Sequence, residues 1–556
     1  MTRRSDIKQA ESALHNQENL LPRRQLLTVF ATLSIALLIY VIDQNGIATT
    51  LPTIASDLNA KNTISWAGTS ALLANTTFQM LYGRLSDIFG RKTVFLTAIA
   101  LLALADLVCG FSQNATMFYL CRAVAGIGGG GIANLAMIIV SDIVTLEQRG
   151  KYQGIIASMI GFGNVIGPFL AAQIASKTTW RAFFWMLAPC GGVTFVLSYV
   201  FLPSKPRHVN FQESVRKVDW LGTLTSSLGI IFLLIPISGG GSYFAWDSPM
   251  VISMLSIGVL SLVLFVFIEW KVAKLPMMPI EIYANPVVVV MLLQYFIFGA
   301  VFQSMIFYIP MYLQNAHEFS MITSALVYIP LPALQAIVSI STGYYITYTK
   351  RYGEVLWTGF TLWTLGLGLT LIYTRSTPIG IIIIPFIVIG FGAGCIFQPT
   401  LIALQAHSPK ARRAVIISNR NFYRCAGGAC GLAISAAVMQ ARLRSALPEQ
   451  YAYIAHSTYS LPNFSGNVPT EVLDAYMAAS HAVFTLQVPL VGICLLGMLF
   501  IRDRGLEYKG DRIVAQFVAA GSGENEAVDL SQTTDASDME SGSVHEESKT
   551  TRQPTA

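Results

Sequence analysis

The chain has 556 residues, 53% hydrophobic and 12% charged, with a net charge of +6 and a mean hydropathy of +0.56. Soluble domains carry roughly 25% charged residues, so this composition excludes a disordered protein, a coiled coil and an ordinary cytosolic enzyme. The small net charge gives no footprint for nucleic acid, and the apolar residues come in long blocks with charges between them, the pattern of an all-α polytopic membrane protein.

Residues 1–25 are polar and hold no apolar core of a cleavable signal peptide, so insertion is expected to start at the first span. Blocks near the roughly 17–25 residues of a crossing helix follow in order. They lie near 26–50, 66–82, 93–111, 117–140, 153–175, 183–203, 221–237, 250–269, 287–313, 322–346, 356–373, 379–402, 415–440 and 481–501. This makes fourteen spans, with 66–82 dotted by polar residues and 415–440 holding two arginines. An even number puts both termini on one side. The loops on that side hold 25 Lys/Arg against six opposite, so both termini are expected to be cytosolic. Residues 441–480 form the longest outside loop, where Asn463-Phe-Ser465 is an expected glycosylation site. The tail, 506–556, is expected to be disordered and cytosolic. All seven cysteines fall in or beside apolar blocks, which implies no disulfide framework.

An internal repeat runs through the glycines. Gly126 and Gly390 are 264 residues apart, and Gly163 and Gly167 stand at the same offset from Gly427 and Gly431; Gly83 and Gly343 form a looser pair at 260. The first six spans occupy 178 residues, so the offset leaves 86 for two inserted spans. The expected plan is a six-helix bundle at 26–203, a linker with two extra spans at 204–285, and a second six-helix bundle at 286–505. Two related halves are the signature of secondary transporters that hold substrate near the midplane.

Within this plan span one carries Asp43-Gln44-Asn45-Gly46. A carboxylate inside a span is a candidate functional group by default, with a helix–helix hydrogen bond as its structural alternative. Asp106, near the outer end of span three, is weighed more lightly, as an interface anchor. Arg122 lies inside span four, where a cation costs at least ~2.5–3.5 kcal/mol at the bilayer centre, so it is expected to face the cavity and find a partner. Gln303, Gln314 and Arg424 are candidates for the cavity lining. Seven scattered histidines show no metal-ligand spacing, and no nucleophile elbow or phosphate loop occurs; no enzyme, metal or cofactor is expected.

The stretch Gly83-Arg-Leu-Ser-Asp87-Ile-Phe-Gly90-Arg91-Lys92 lies between spans two and three on the cytosolic side. It resembles the loop signature of the major facilitator superfamily, and a two-glycine tight turn with an acid and two bases would latch neighbouring helix ends. Arg122-x-x-x-Gly126 matches the family's fourth-span motif, in which the arginine is implicated in proton transfer. Gly163-Asn-Val-Ile-Gly167-Pro168 resembles its antiporter motif, though Ala171-Ala172 stand where the family usually continues with glycines. Trp180-Arg181, Asp219-Trp220-x-Gly222, Tyr308-Ile-Pro310 and Phe422-Tyr-Arg424-x-x-Gly427-Gly428 also resemble the fourteen-span drug:proton antiporters. That resemblance covers about 26–505. It implies the major facilitator fold, gating roles for the 83–92 and 163–168 motifs, and proton coupling at Arg122, with Asp43 as the nearest partner by depth.

The function so implied is a proton-driven antiporter that exports small organic compounds such as drugs or toxins. Its partners would be that substrate, protons and the lipid bilayer, with a monomeric protein at the plasma membrane. The same subfamily includes fungal vacuolar basic amino-acid transporters, which stand as the alternative. A non-transporting sensor of transporter fold is the reading from a different class.

Overall fold

A computed structural model of the chain describes residues 21–60, 63–64, 66–144, 148–203, 218–239, 246–273, 275–409, 412–451, 468–503 and 505. Among the described residues the regular elements are all helices. The first half comprises α1 (Arg23–Asp57), α2 (Trp66–Phe89), α3 (Arg91–Gly110), α4 (Ala115–Ile143), α5 (Arg149–Lys177) and α6 (Trp180–Phe201). Then come α7 (Trp220–Gly239) and α8 (Pro249–Lys271). The second half comprises α9 (Pro286–Asn315), α10 (Met321–Tyr328), α11 (Pro330–Thr349), α12 (Gly353–Thr370), α13 (Ile379–Phe397), α14 (Pro399–Ala406), α15 (Arg413–Ala446) and α16 (Thr470–Gly497).

Among the described residues twelve helical segments are long and apolar enough to cross a membrane. Helices α2 and α12 are not among them. Yet α2 buries Asn75, Thr76, Thr77, Gln79, Arg84 and Asp87 inside the bundle, where Thr76, Thr77 and Gln79 bond within the helix and Asn75 and Arg84 donate to Tyr40 Oη and Pro276 O. The span expected at 322–346 is two helices, broken before Pro330, and that at 379–402 is broken before Pro399, because proline cannot donate the interior hydrogen bond. Several helices outrun their apolar blocks. Helix α1 continues to Asp57 and α15 to Ala446, so Arg442 and Arg444 ride the end of a helix rather than a loop.

The glycine repeat reappears as repeated contacts. A Cβ on Gly126 would lie 2.2 Å from Ala71 O, and one on Gly390 2.5 Å from Leu331 O. Both are fourth-on-second helix crossings, one per half. Gly128 meets Leu102 as Gly392 meets Trp363, and Gly163 meets Val41 as Gly427 meets Phe296. Small residues let membrane helices approach this closely, since hydrophobic drive between helices is weak in lipid. Across the two halves, α2 packs on α15 and α5 on α11. Helices α7 and α8 pair with each other, and α7 lies against α2 and α15 on the flank of the bundle.

At the end of the bundle where α1 begins, one apolar core runs through both halves, with Ile138, Val140 and Ile156 beside Leu401, Ile402 and Ile416. Two smaller cores lie each within one half, while the shared core continues in the second half to Tyr312 and Tyr373. One is built on Ile54, Phe118, Trp180 and Phe184, the other on Met311, Leu443, Val472 and Tyr476.

Candidate functional site

Arg122 on α4 places Nη1 2.5 Å from Asp43 Oδ1 on α1 and 3.8 Å from Asp106 Oδ1 on α3. All three are buried, at 1%, 2% and 1% exposure. The expected pair therefore meets, and Asp106 joins it. Arg122 does not line an open cavity: the triad is enclosed within the first half, with the guanidinium 5.9 Å from the Phe184 ring. Phe184 in turn stacks edge-on with Phe118, Trp180 and Phe183. Asp106 faces the Asp43 carboxyl beside the guanidinium, and among the described residues no hydrogen-bond donor of ordinary geometry reaches its two oxygens. One guanidinium thus faces two carboxyl groups in a buried site. Its charge balances only when one carboxyl carries a proton, because an uncompensated buried charge costs several kcal/mol.

At the α1-start end, Asp87 Oδ1 is 2.6 Å from Arg91 Nη1 and Asp87 Oδ2 3.9 Å from Arg84 Nη1. Arg91 Nε donates to Asp142 Oδ2 at the end of α4, at 2.8 Å. The motif thus ties α2, α3 and α4 together. Its turn is built differently from expectation: Gly83 lies inside α2, and only Gly90 forms the bend, with φ +94°, a region that favours glycine. Gly83 serves the crossing of the halves, where a Cβ would meet Ser418 Oγ at 2.5 Å and Ala414 O at 3.0 Å. Lys92 sits over the Tyr199 ring, 5.2 Å from its centroid. Arg84 donates to Pro276 O, after α8, at 2.7 Å.

Contacts between the halves gather at this same end. Asn134 donates to Ser418 Oγ at 2.8 Å and accepts from Asn421 at 3.1 Å. Gln398, at the α13–α14 break, donates to Gln153 O at 2.5 Å, and Arg149 to Gln405 Oε1 at 3.2 Å. Gly150 and Gly343 cross backbone to backbone, with a Cβ on Gly343 only 2.3 Å from Gly150 O.

In the middle of the first half, Gly163 and Gly167 of α5 lie against Val41, Ile42 and Gly46 of α1, and Pro168 follows inside the helix. Asn45 donates to Asn164 Oδ1 at 3.0 Å across that crossing, and Gln44 is half-buried beside it. Gln303 is half-buried on α9 with its stem 3.3 Å from where a Cβ on Gly428 would lie. Arg424 is half-buried on α15. Gln314 is half-buried near the end of α9, away from the triad's half. Asn463 lies outside the described residues.

Residues 33–432 match the Major Facilitator Superfamily as a family. This chain belongs to the Major Facilitator Superfamily. The facilitator is 43% identical over 545 residues to Citrate exporter 1 of Yarrowia lipolytica, covering 97% of this chain and 80% of that one. It is 41% identical to MFS-type transporter clz4 of Cochliobolus lunatus, covering 89% of each. Efflux pump dotC of Dothistroma septosporum matches at 31%, over 72% of this chain and 70% of its own. Two solved structures share the fold at 14% identity. The human organic anion transporter MFSD10 has a TM-score of 0.55, covering 86% of this chain and 100% of its own; the proton:xylose symporter XylE has 0.57, covering 89% and 100%. The facilitator is accordingly a multi-pass membrane transporter.

Sequence reasoning weighed Asp106 as an interface anchor; its distance from Asp43 in sequence hid that both flank Arg122. It also passed over Arg420, which the structure seals at the meeting of the halves. The available signal was the i, i+4 spacing of Arg420 and Arg424 inside an apolar block.

Proposed function

We propose that this facilitator is a proton-coupled antiporter that exports small organic compounds from the cytosol by alternating access. The observation that carries the reading is the buried Asp43–Arg122–Asp106 triad, with one base for two acids. Such a site changes its charge by taking up or releasing one proton, and both carboxyl groups sit on helices that pack around α4. The gathering of inter-half contacts at the α1-start end supports a rocking motion: this arrangement corresponds to the state closed towards the cytosol. One proton crossing ~100 mV supplies about 2.3 kcal/mol, and two pH units add about 2.7 kcal/mol. Together they sustain a concentration ratio of a few thousand.

The reading includes fourteen spans with cytosolic termini at the plasma membrane, a monomer, and glycosylation at Asn463. It assigns 1–25 to a cytosolic tail, 26–203 and 286–505 to the two bundles, 204–285 to the linker with the inserted pair, and 506–556 to a second tail. Gly83, Asp87, Gly90, Arg91, Lys92, Gly163, Gly167 and Pro168 are its gating residues; Gln44, Asn45, Gln303, Gln314 and Arg424 its cavity candidates. A relative named as a citrate exporter and another named as an efflux pump both support outward movement; the first makes citrate a natural probe, and ethidium serves as a drug-like cation for comparison. The half-buried position of Arg424 supports export of a neutral or anionic compound over the vacuolar basic amino-acid alternative.

The test is uptake of labelled citrate or ethidium into inside-out vesicles under an imposed pH gradient. Wild type should accumulate one of them against its gradient. R122A and D43N should each lose accumulation yet retain exchange of internal for external substrate. Full gradient-driven accumulation by either variant would remove that residue from the coupling path.

A further inference from the structure

Helix α15 carries Arg420 and Arg424 four residues apart, hence on one face, about 6 Å apart along the helix. Arg420 is wholly buried. Its guanidinium lies 3.9 Å from the Tyr295 ring centroid and donates to Phe397 O and to Asn421 Oδ1, while among the described residues Nε has no hydrogen-bond partner. Met137 Sδ of α4 reaches in from the other half and lies 3.9 Å from Arg420 Nη1. Arg424 is half-buried, 3.6 Å from Cys425 Sγ.

Among the described residues neither arginine forms an ion pair with a carboxylate. The contrast with their neighbours is sharp. Arg84, Arg91, Arg122 and Arg412 each have an Asp or Glu within 4.0 Å. A cation in the middle of a membrane bundle is costly without a counter-ion, and such residues mark substrate pathways. Tyr295 and Phe397 offset part of that cost through their ring faces, but they add no negative charge. The turn of α15 that bears Arg424 also meets neutral polar groups of the first half. Cys425 Sγ lies 4.0 Å from Asn75 Oδ1, and Asn75 donates to Tyr40 Oη at 3.0 Å.

We propose that Arg420 and Arg424 form a two-guanidinium site for organic anions bearing carboxylates, and that the protein alters its affinity by covering one of the two. In the present arrangement Met137 and the Asn134–Ser418–Asn421 contacts close over Arg420. These contacts join the halves at the α1-start end, so opening that end towards the cytosol uncovers Arg420. Arg424, one turn nearer the midplane, remains available in both states. An anion arriving from the cytosol is then held by two guanidiniums and released outward from one. This deepens the export reading and rests on it, since it assigns the substrate class and a structural cause for the direction.

The experiment measures citrate KM at each face, using inside-out and right-side-out vesicles of the full-length protein. R424Q should raise KM at both faces by about tenfold to a hundredfold, the size of one lost charge-assisted hydrogen bond. R420Q should raise it by a similar factor at the cytosolic face only, with R420K recovering part of the loss. An equal rise at both faces in R420Q, or no change in R424Q, would overturn the two-arginine site. Gradient-driven uptake of ethidium but not citrate by wild type would overturn the anion site and leave the exporter standing. Uptake of neither, by protein present in the membrane, would overturn the exporter reading and this one with it. Where R420Q does not reach the membrane, the comparison of wild type, R424Q and R424K decides the site.

Discussion

Replacing Gly343 with alanine tests whether the crossing of α5 on α11 holds the cytosolic end shut. The added Cβ would lie 2.3 Å from Gly150 O, a backbone atom with no freedom to swing aside. Carbon–oxygen approaches are comfortable from about 3.3 Å, so the helices must part by roughly 1 Å. Overpacking a tight contact costs about 1–3 kcal/mol. In the proposed alternating access this contact joins the halves at the end that opens, so the cost falls on the closed state alone. The equilibrium should then move towards the cytosol-open state by about 5- to 150-fold. Gly126 and Gly390 supply the control. Their Cβ positions are equally crowded, at 2.2 and 2.5 Å, but against Ala71 and Leu331 of the same half. G126A and G390A should lower stability without moving the equilibrium, because both states contain the contact. The assay places a single cysteine at Ser418, with the native cysteines replaced, and follows labelling by a membrane-impermeant maleimide from the cytosolic side. G343A should speed labelling at least about fivefold. Unchanged labelling in G343A, or the same increase in G126A, would refute the reasoning.

D106N should lose gradient-driven accumulation while keeping substrate exchange, because an amide cannot carry the proton that balances two carboxyls against Arg122; vesicles showing wild-type accumulation would exclude Asp106 from coupling. D87N breaks the ion pairs with Arg91 and Arg84 and should slow transport with insertion unchanged, through a bias of about 1–3 kcal/mol between states; transport at the wild-type rate would remove the latch. G90A forces a side chain into a φ of +94° and should destabilise the protein by about 1–2 kcal/mol, read as a lowered melting temperature in detergent, with Gly90→Asn milder. N463Q should abolish a glycosidase-sensitive mobility shift on gels; a shift that persists would place the glycan, and so the topology, elsewhere.

The all-helical membrane fold was legible in the chain because it depends on local quantities. Apolar length sets a crossing helix, and the glycine spacing sets where helices approach. Gly126/Gly390 and Gly163/Gly427, paired by offset alone, make matching contacts in the two halves. The meeting of Asp43 and Arg122 was also accessible, since depth along two helices of known direction brings them level. What sequence could not supply was rotation about each helix axis and partners far apart in the chain. Those decided that the triad is sealed inside one half, that Asp106 stands with Asp43 around Arg122, and that Gly83 is a crossing contact while Gly90 alone makes the turn. They also decided that Arg420 lies covered by Met137, 283 residues away. A side chain's place along a helix follows from 1.5 Å per residue; which neighbour it meets follows only from how whole helices pack, and that is settled by the bundle as a unit.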